Sequence, residues 1–244
     1  MVTNIAYTES YLDRRQRLEA VFAPAHLTDE PETVLRLDDN YTLRGRLYSG
    51  ETDGQRLDNA CETELLDKDG NVLYSWRCLD ADGVRPCGFL GFWWSQDGKS
   101  YLLFRRELYG YSVLEIETGR DFHYVPSCAY PENGEVPDET FIWCSAYYGA
   151  GNDMLAVAGC YWGCPYTTIV LDFMDPLAEH PAEEWLLIDD YFSPEKYDYD
   201  SLVPDAWEYH GDLILERWCA GTMSRPELIR IPSKKLRTAV DRLK

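Results

Sequence analysis

The chain is predicted to be all-β, a small or irregular β-propeller of four-stranded antiparallel meanders with short N- and C-terminal helices. A β-sandwich is the fallback. Three observations lead there. Apolar and polar residues alternate with a period of two over most of residues 33 to 231. Tight polar turns interrupt the alternation at Asp39-Asn40, Asp69-Gly70, Asp97-Gly98, Asn152-Asp153 and Gly211-Asp212. Four of these turns lead into runs that line up with one another: YTLRGRLY, YLLFRREL, MLAVAGCY and LILERWCA. The spacing, with four strands per unit at a period of about 40–50 residues, is that of propeller blades.

The elements follow in order. SYLDRRQRLEAVFAPAHL reads as a helix over residues 10–22. Ser10 is the expected cap, Asp13 suits the first turn, and Tyr11, Leu18 and Phe22 share a face before Pro24 stops it. The first unit holds four strands, with LLDKDGNVLYSW as a hairpin turning at Asp69-Gly70. The second, beginning GFWWSQDGKSYLLF, places strands before Asp97-Gly98, at 100–106, at 111–117 and after Thr118-Gly119. Leu114 and Ile116 share one face and Glu115 and Glu117 the other. The third, beginning ETFIWCSAYYGAGNDM, gives four strands, and the last, beginning WEYHGDLILERW, gives three. PSKKLRTAVDRLK closes the chain as a helix capped by Ser233 with Leu236, Val240 and Leu243 in a stripe. One domain is expected over 1–244, with a helix-containing segment at 1–32, β repeats at 33–231 and the terminal helix at 232–244.

FWWSQDGKSYLLF…YSVLEIETG, residues 92–119, resembles the WD40-like repeat of TolB-type β-propellers, with Gln96 where that repeat usually has proline. The resemblance implies the fold and no chemistry. Four units are few for a closed ring. Either an irregular unit occupies 1–32 or 181–210, or the propeller is small or open.

Composition sets the outer limits. With 45% hydrophobic and 14% aromatic residues among 244, the chain can bury a substantial core. Its apolar runs are far shorter than the roughly 20 residues of a membrane span. The N-terminal stretch lacks the basic-then-apolar pattern of a signal peptide, so a cytoplasmic location is expected. A net charge of −20 repels nucleic acid and anionic membranes and attracts basic protein surfaces; it also serves solubility alone. The eight cysteines are expected to be reduced, packing as small hydrophobes. Cys160 and Cys164 have no second ligand pair at zinc spacing, and the four histidines are scattered singly, so no metal and no cofactor is expected.

The loop GCYWGCPY joins two strands and sets Tyr161 and Trp162 at the end of a sheet. Residues 189–212 interleave carboxylates with aromatics. Tyrosine and tryptophan supply rigid anchors, and carboxylates steer a basic partner toward them. The partner-binding candidates are Tyr161, Trp162, Tyr191, Tyr197, Asp198, Tyr199, Asp200, Trp207 and Glu208. The competing reading of 189–212 is a solvated connector. No nucleophile-elbow, zincin, P-loop or dinucleotide motif occurs, so no catalytic residue is assigned. The expected function is a non-catalytic acidic interaction module for a basic protein, with a toxin-neutralising immunity protein as one concrete form. The alternative is a propeller-type enzyme or carbohydrate binder using the blade-end aromatic loops.

Overall fold

Short strands that alternate their side chains must bury two faces or one, and here four strands, at residues 100–104, 111–115, 154–160 and 167–172, bury two. The structure, a computed structural model, describes residues 2–80, 88–95, 97–131, 137–192, 199–219 and 225–243. Four antiparallel sheets follow one another along the chain. The first comprises β1 (Thr33–Arg36), β2 (Tyr41–Thr52), β3 (Gln55–Asp67) and β4 (Val72–Cys78). The second comprises β5 (Phe89–Trp94), β6 (Ser100–Phe104), β7 (Tyr111–Glu115) and β8 (Arg120–Tyr124). The third holds β9 (Ile142–Gly149), β10 (Met154–Cys160), β11 (Thr167–Asp172) and the two-residue β12 (Leu186–Leu187). The fourth holds β13 (Ser201–Trp207), β14 (Leu213–Trp218) and β15 (Glu227–Ile231). Each strand pairs with its neighbour in sequence, so every sheet is a meander.

The sheets stack in chain order, and residue parity decides which neighbour a side chain meets. In β6, Leu102 and Phe104 pack with Leu43, Leu65 and Trp76 of the first sheet. Tyr101 and Leu103 point the other way, into a cluster with Leu155, Val157, Ile169 and Leu171 of the third. In β10 the odd residues Leu155 and Val157 face the second sheet, while Met154 and Ala156 meet Leu213 and Leu215 of the fourth. This double burial explains why MLAVAGC is a continuous apolar run rather than an alternating one. Each fully buried leucine or valine contributes about 1.5–3 kcal/mol relative to exposure. Between the second and third sheets Tyr111 stacks on Trp143 at 4.7 Å and 16°. Among the described residues, no hydrophobic cluster joins the fourth sheet to the first.

Helices close the sides. α1 (Glu9–Leu18) runs into a 3-10 turn at Glu19–Phe22, and Leu18, Val21 and Phe22 cover Tyr48, Leu57 and Ala60 of the first sheet. Its cap is Thr8 and not the expected Ser10: the Thr8 hydroxyl accepts from the Tyr11 amide at 3.4 Å. α2 (Ile188–Phe192) follows β12, and α3 (Ser233–Val240) seats Leu236, Ala239 and Val240 in the cluster shared by the third and fourth sheets. Ser233 begins α3 without capping it; its amide donates to Asp212 at 2.9 Å.

The cysteine expectation is corrected. Cys61, fully buried in β3, is disulfide-bonded, while Cys78, Cys128, Cys144, Cys160, Cys164 and Cys219 are free. Spacing in sequence carried no sign of it, because bonding depends on which segment the fold brings over the Cys61 side chain.

The meander connectivity has a geometric result. The short turns β1–β2, β3–β4, β5–β6, β7–β8, β9–β10 and β13–β14 lie at one end of the stack. Contacts between sheets bring these ends together: Tyr41 lies 6.3 Å from Trp94, and Trp93 stacks on Tyr148 at 5.1 Å. The Trp207 ring sits against Gly149, where an added Cβ would come within 2.9 Å of it. The β2–β3 turn and the β10–β11 loop lie at the opposite end, where β4 and β8 end and β5, β9 and β13 begin.

Candidate functional site

The turn end is acidic because tight turns favour aspartate. Asp and Asn side chains hydrogen-bond backbone amides two residues on and so fold the turn locally. Asp38 accepts from the amides of Asn40 and Tyr41 at 2.7 and 2.8 Å. Asp67 accepts from Asp69 and Asn71 at 2.9 and 2.8 Å. Asp97 takes a hydrogen bond from Ser95, and Asp153 one from Tyr148 Oη at 2.6 Å. These bonds favour the charged form. Asn71 holds the Asp67 carboxyl below its usual range, Ser95 does so for Asp97, and the Ser233 amide, then Arg230, for Asp212. Asp39, Asp69, Glu117 and Glu208 extend the same face.

A groove of about 570 Å³ opens in this face where the third and fourth sheets meet, lined by Tyr148, Gly151, Trp207, Glu208 and Tyr209. Trp207 ends β13, and its Nε1 donates to the Tyr147 carbonyl at 2.8 Å, which fixes the indole plane. Gly149 lets that indole approach, and Gly151 lies close to the Tyr209 carbonyl. Burial, then the hydrogen bond to Asp153, raises the Tyr148 hydroxyl well above its ordinary value, so it stays a neutral donor. Tyr209 is 93% exposed, its ring edge-on to His210 at 5.3 Å. Glu208 pairs with Arg230 at 2.5 Å, and Arg230 reaches Asp212 at 2.9 Å. The groove therefore combines aromatic faces with a charged lip.

The nine sequence candidates do not form one site. Trp207 and Glu208 lie in the groove. Tyr161 and Trp162 lie at the far end of β10, about 20 Å away at 3.3 Å per residue. There Trp162 is 70% exposed, while Tyr161 is half-buried, edge-on to Phe141 at 5.4 Å. Asp200 is exposed at that same end, its amide donating to the Trp218 carbonyl at 2.8 Å. Tyr191 lies on α2 with its hydroxyl 3.5 Å from the Lys235 carbonyl. Tyr199 is buried, its hydroxyl donating to Asp189 at 2.5 Å, so its side chain is a core group. Tyr197 and Asp198 lie outside the described residues. Tyr148 and Tyr209 are the groove residues that sequence reasoning missed. Tyr148 immediately precedes the β9–β10 turn, and Tyr209 starts the β13–β14 turn, so an aromatic beside a polar turn was the available signal.

The loop cysteines Cys160 and Cys164 are half-exposed and free. Burial, then the neighbouring Cys144 and Cys164, pushes the Cys160 thiol up to about 11, which keeps it protonated and a poor nucleophile. Among the described residues no group of three or more His, Cys, Asp or Glu is arranged to hold a metal. No helix of the described residues is long and apolar enough to cross a membrane.

No protein-family model and no curated protein matches the chain. Among solved structures, the chain is similar to the uncharacterized protein lmo1340 from Listeria monocytogenes EGD-e, at 8% identity and a TM-score of 0.34 over 86% of this chain. It spans 55% of the length of that structure.

Proposed function

We propose that the protein is a non-catalytic interaction module that binds a basic protein through its acidic turn face, with the Trp207–Tyr209 groove as the anchor site. The observation that carries this reading is the coincidence of a groove holding three aromatic side chains with a face of ionised turn carboxylates. Carboxylates raise encounter rates with a basic partner over about 8 Å at physiological salt, and a desolvated aromatic then sets the lifetime of the complex. Neutralising a basic toxin is one form such binding takes. The fold reading that accompanies it is an open propeller of four stacked blades. Its support is the order of the stack and the absence of a hydrophobic cluster between first and fourth sheets among the described residues.

Affinity capture from the source organism at low and moderate salt tests it, with wild type, Tyr209→Ala and Trp162→Ala as baits. Both residues are exposed, so neither variant disturbs the core. A basic protein retained by wild type and Trp162→Ala, but released several-fold faster from Tyr209→Ala, is the expected result. Retention of no basic protein, or equal retention by all three baits, overturns the proposal.

A further inference from the structure

A second cavity, of about 360 Å³, lies away from the turn groove, walled by α1, β4 and β8. Three arginines reach it. Arg15 is held by both terminal nitrogens and an ion pair: Nη1 donates to Glu107 at 2.8 Å and to the Arg106 carbonyl at 3.1 Å, Nη2 donates to the Arg77 carbonyl at 2.6 Å, and Nε lies 2.8 Å from the Glu19 carboxylate. Arg77 donates through Nε and Nη2 to Glu62 at 3.1 and 3.0 Å. Arg106 differs. Its guanidinium is half-buried and makes no hydrogen bond or ion pair among the described residues. Burial and the neighbouring Arg15 cation both work against its charge. Acidic residues outnumber basic ones 43 to 23 in this chain, so a partner for it was easy to supply.

Asp121 lines the same cavity and also lacks an arginine or lysine partner. Its Oδ2 accepts from Tyr74 Oη at 2.5 Å and lies 3.4 Å from His123 Nε2. A carboxylate only accepts, which favours the tautomer with the imidazole proton on Nε2, and Nδ1 lies 2.8 Å from the Ser112 hydroxyl. Burial keeps that imidazole neutral at pH 7, so it does not cancel the Asp121 charge. Both contacts fall on Oδ2 and leave Oδ1 as an acceptor. The cavity thus holds a rigid guanidinium fork and an oriented carboxylate, each with bonding capacity unused.

We infer that this cavity binds a small monocarboxylate bearing a hydroxyl or ammonium donor, the carboxylate on Arg106 and the donor on Asp121. A planar fork matches a carboxylate in two parallel hydrogen bonds. Glu19, Glu62 and Asp121 already line the cavity and disfavour a dianion such as phosphate. The volume has room for about ten water-sized groups, enough for an amino acid or a sugar acid. The site shares no residue with the turn groove, so it stands or falls independently of the function proposed above.

Calorimetric titration of the whole protein with D-gluconate and L-glutamine tests it, with acetate and inorganic phosphate as comparators. At least one of the two donor-bearing carboxylates binds more tightly than acetate and phosphate. Arg106→Gln weakens that binding roughly tenfold or more, Arg106→Lys weakens it less, and Asp121→Asn removes the advantage over acetate. Near-ultraviolet circular dichroism confirms that each variant is folded, and if Arg106→Gln is not, Arg106→Lys and Asp121→Asn decide. Tyr209→Ala binds as wild type. Absence of binding by both probes at about 10 mM, phosphate binding more tightly than either, or an unchanged affinity in the folded Arg106 variants overturns the inference.

Discussion

Removing a single oxygen from Tyr199 separates a core role from a surface role for this ring. The side chain is 6% exposed, and its hydroxyl donates to Asp189 Oδ2 at 2.5 Å and lies 3.1 Å from Thr167 Oγ1. Thr167 donates to the same carboxylate oxygen at 2.5 Å, and both Thr167 and Asp189 are fully buried. Asp189 Oδ1 has no partner among the described residues, so two hydroxyls carry the solvation of a buried carboxylate. Tyr199→Phe keeps the ring and opens no cavity, so the loss isolates one hydrogen bond to a charged group, about 1.5–3 kcal/mol. In a chain of this size that corresponds to a fall in Tm of roughly 4–10 °C. Urea melts followed by tryptophan fluorescence at pH 7 measure it, with a lower midpoint and an unchanged slope. In an Asp189→Asn background the same change has a smaller effect, because the charge that strengthened the bond is gone. A stability loss below about 0.5 kcal/mol refutes the reasoning and returns Tyr199 to the surface.

Three further outcomes are expected. A Cβ on Gly91 would lie 2.7 Å from the Ala146 carbonyl, so Gly91→Ala forces β5 and β9 apart and destabilises by about 2 kcal/mol or more; a melt like wild type removes the close contact of the second and third sheets from the account. The His123 hydrogen bond, then Tyr74, holds the Asp121 carboxyl at about 2, below its unfolded value, so its stabilisation is complete above about pH 4 and lost as pH falls toward 2; with the side chain 36% exposed, screening reduces the roughly 2 kcal/mol shift to about 1, and an acid titration in which Asp121→Asn loses stability as steeply as wild type over that window contradicts it. Alkylation of the unfolded, unreduced protein leaves Cys61 unmodified and labels Cys78, Cys128, Cys144, Cys160, Cys164 and Cys219, and peptide mass mapping that finds Cys61 alkylated removes the disulfide.

The strand pattern was legible because alternation and turn chemistry are local. Asp39-Asn40, Asp97-Gly98, Asn152-Asp153 and Gly211-Asp212 all sit at strand junctions, and Gly98 and Gly211 have φ of +83° there. The continuous apolar run of β10 is buried on both faces, and its length and the turn before it mark it as a strand. What could not be read is which turns share an end. Trp207 and Tyr148 lie far apart in sequence, and only stacking of the third sheet on the fourth brings them to one groove. The acidic-aromatic stretch 189–212 looked uniform in composition, yet in the bend just before β13 Tyr199 is buried on Asp189 while Asp200 is exposed. The arginine cavity was invisible for the same reason: Arg15, Asp121 and Arg106 come from α1, β8 and the loop after β6.

Six of the turns between paired strands lie at one end of the stack, and the strands that lead from one sheet to the next end at the other, which separates two tasks within one chain. The β1–β2, β3–β4 and β5–β6 turns close on backbone and Asp or Ser bonds within themselves, whereas the β9–β10 and β13–β14 turns are also tied to each other through Asn152 and Gly211. A turn of the first kind can therefore change length or composition without altering the spacing of the stack. Recognition on that end is modular in the engineering sense: sequences exchanged into the β5–β6 turn, or into the β9–β10 and β13–β14 turns as a pair, would alter what is bound while leaving the interleaved interior intact. The chain is in this respect a candidate display scaffold, with its variable positions already segregated from its core.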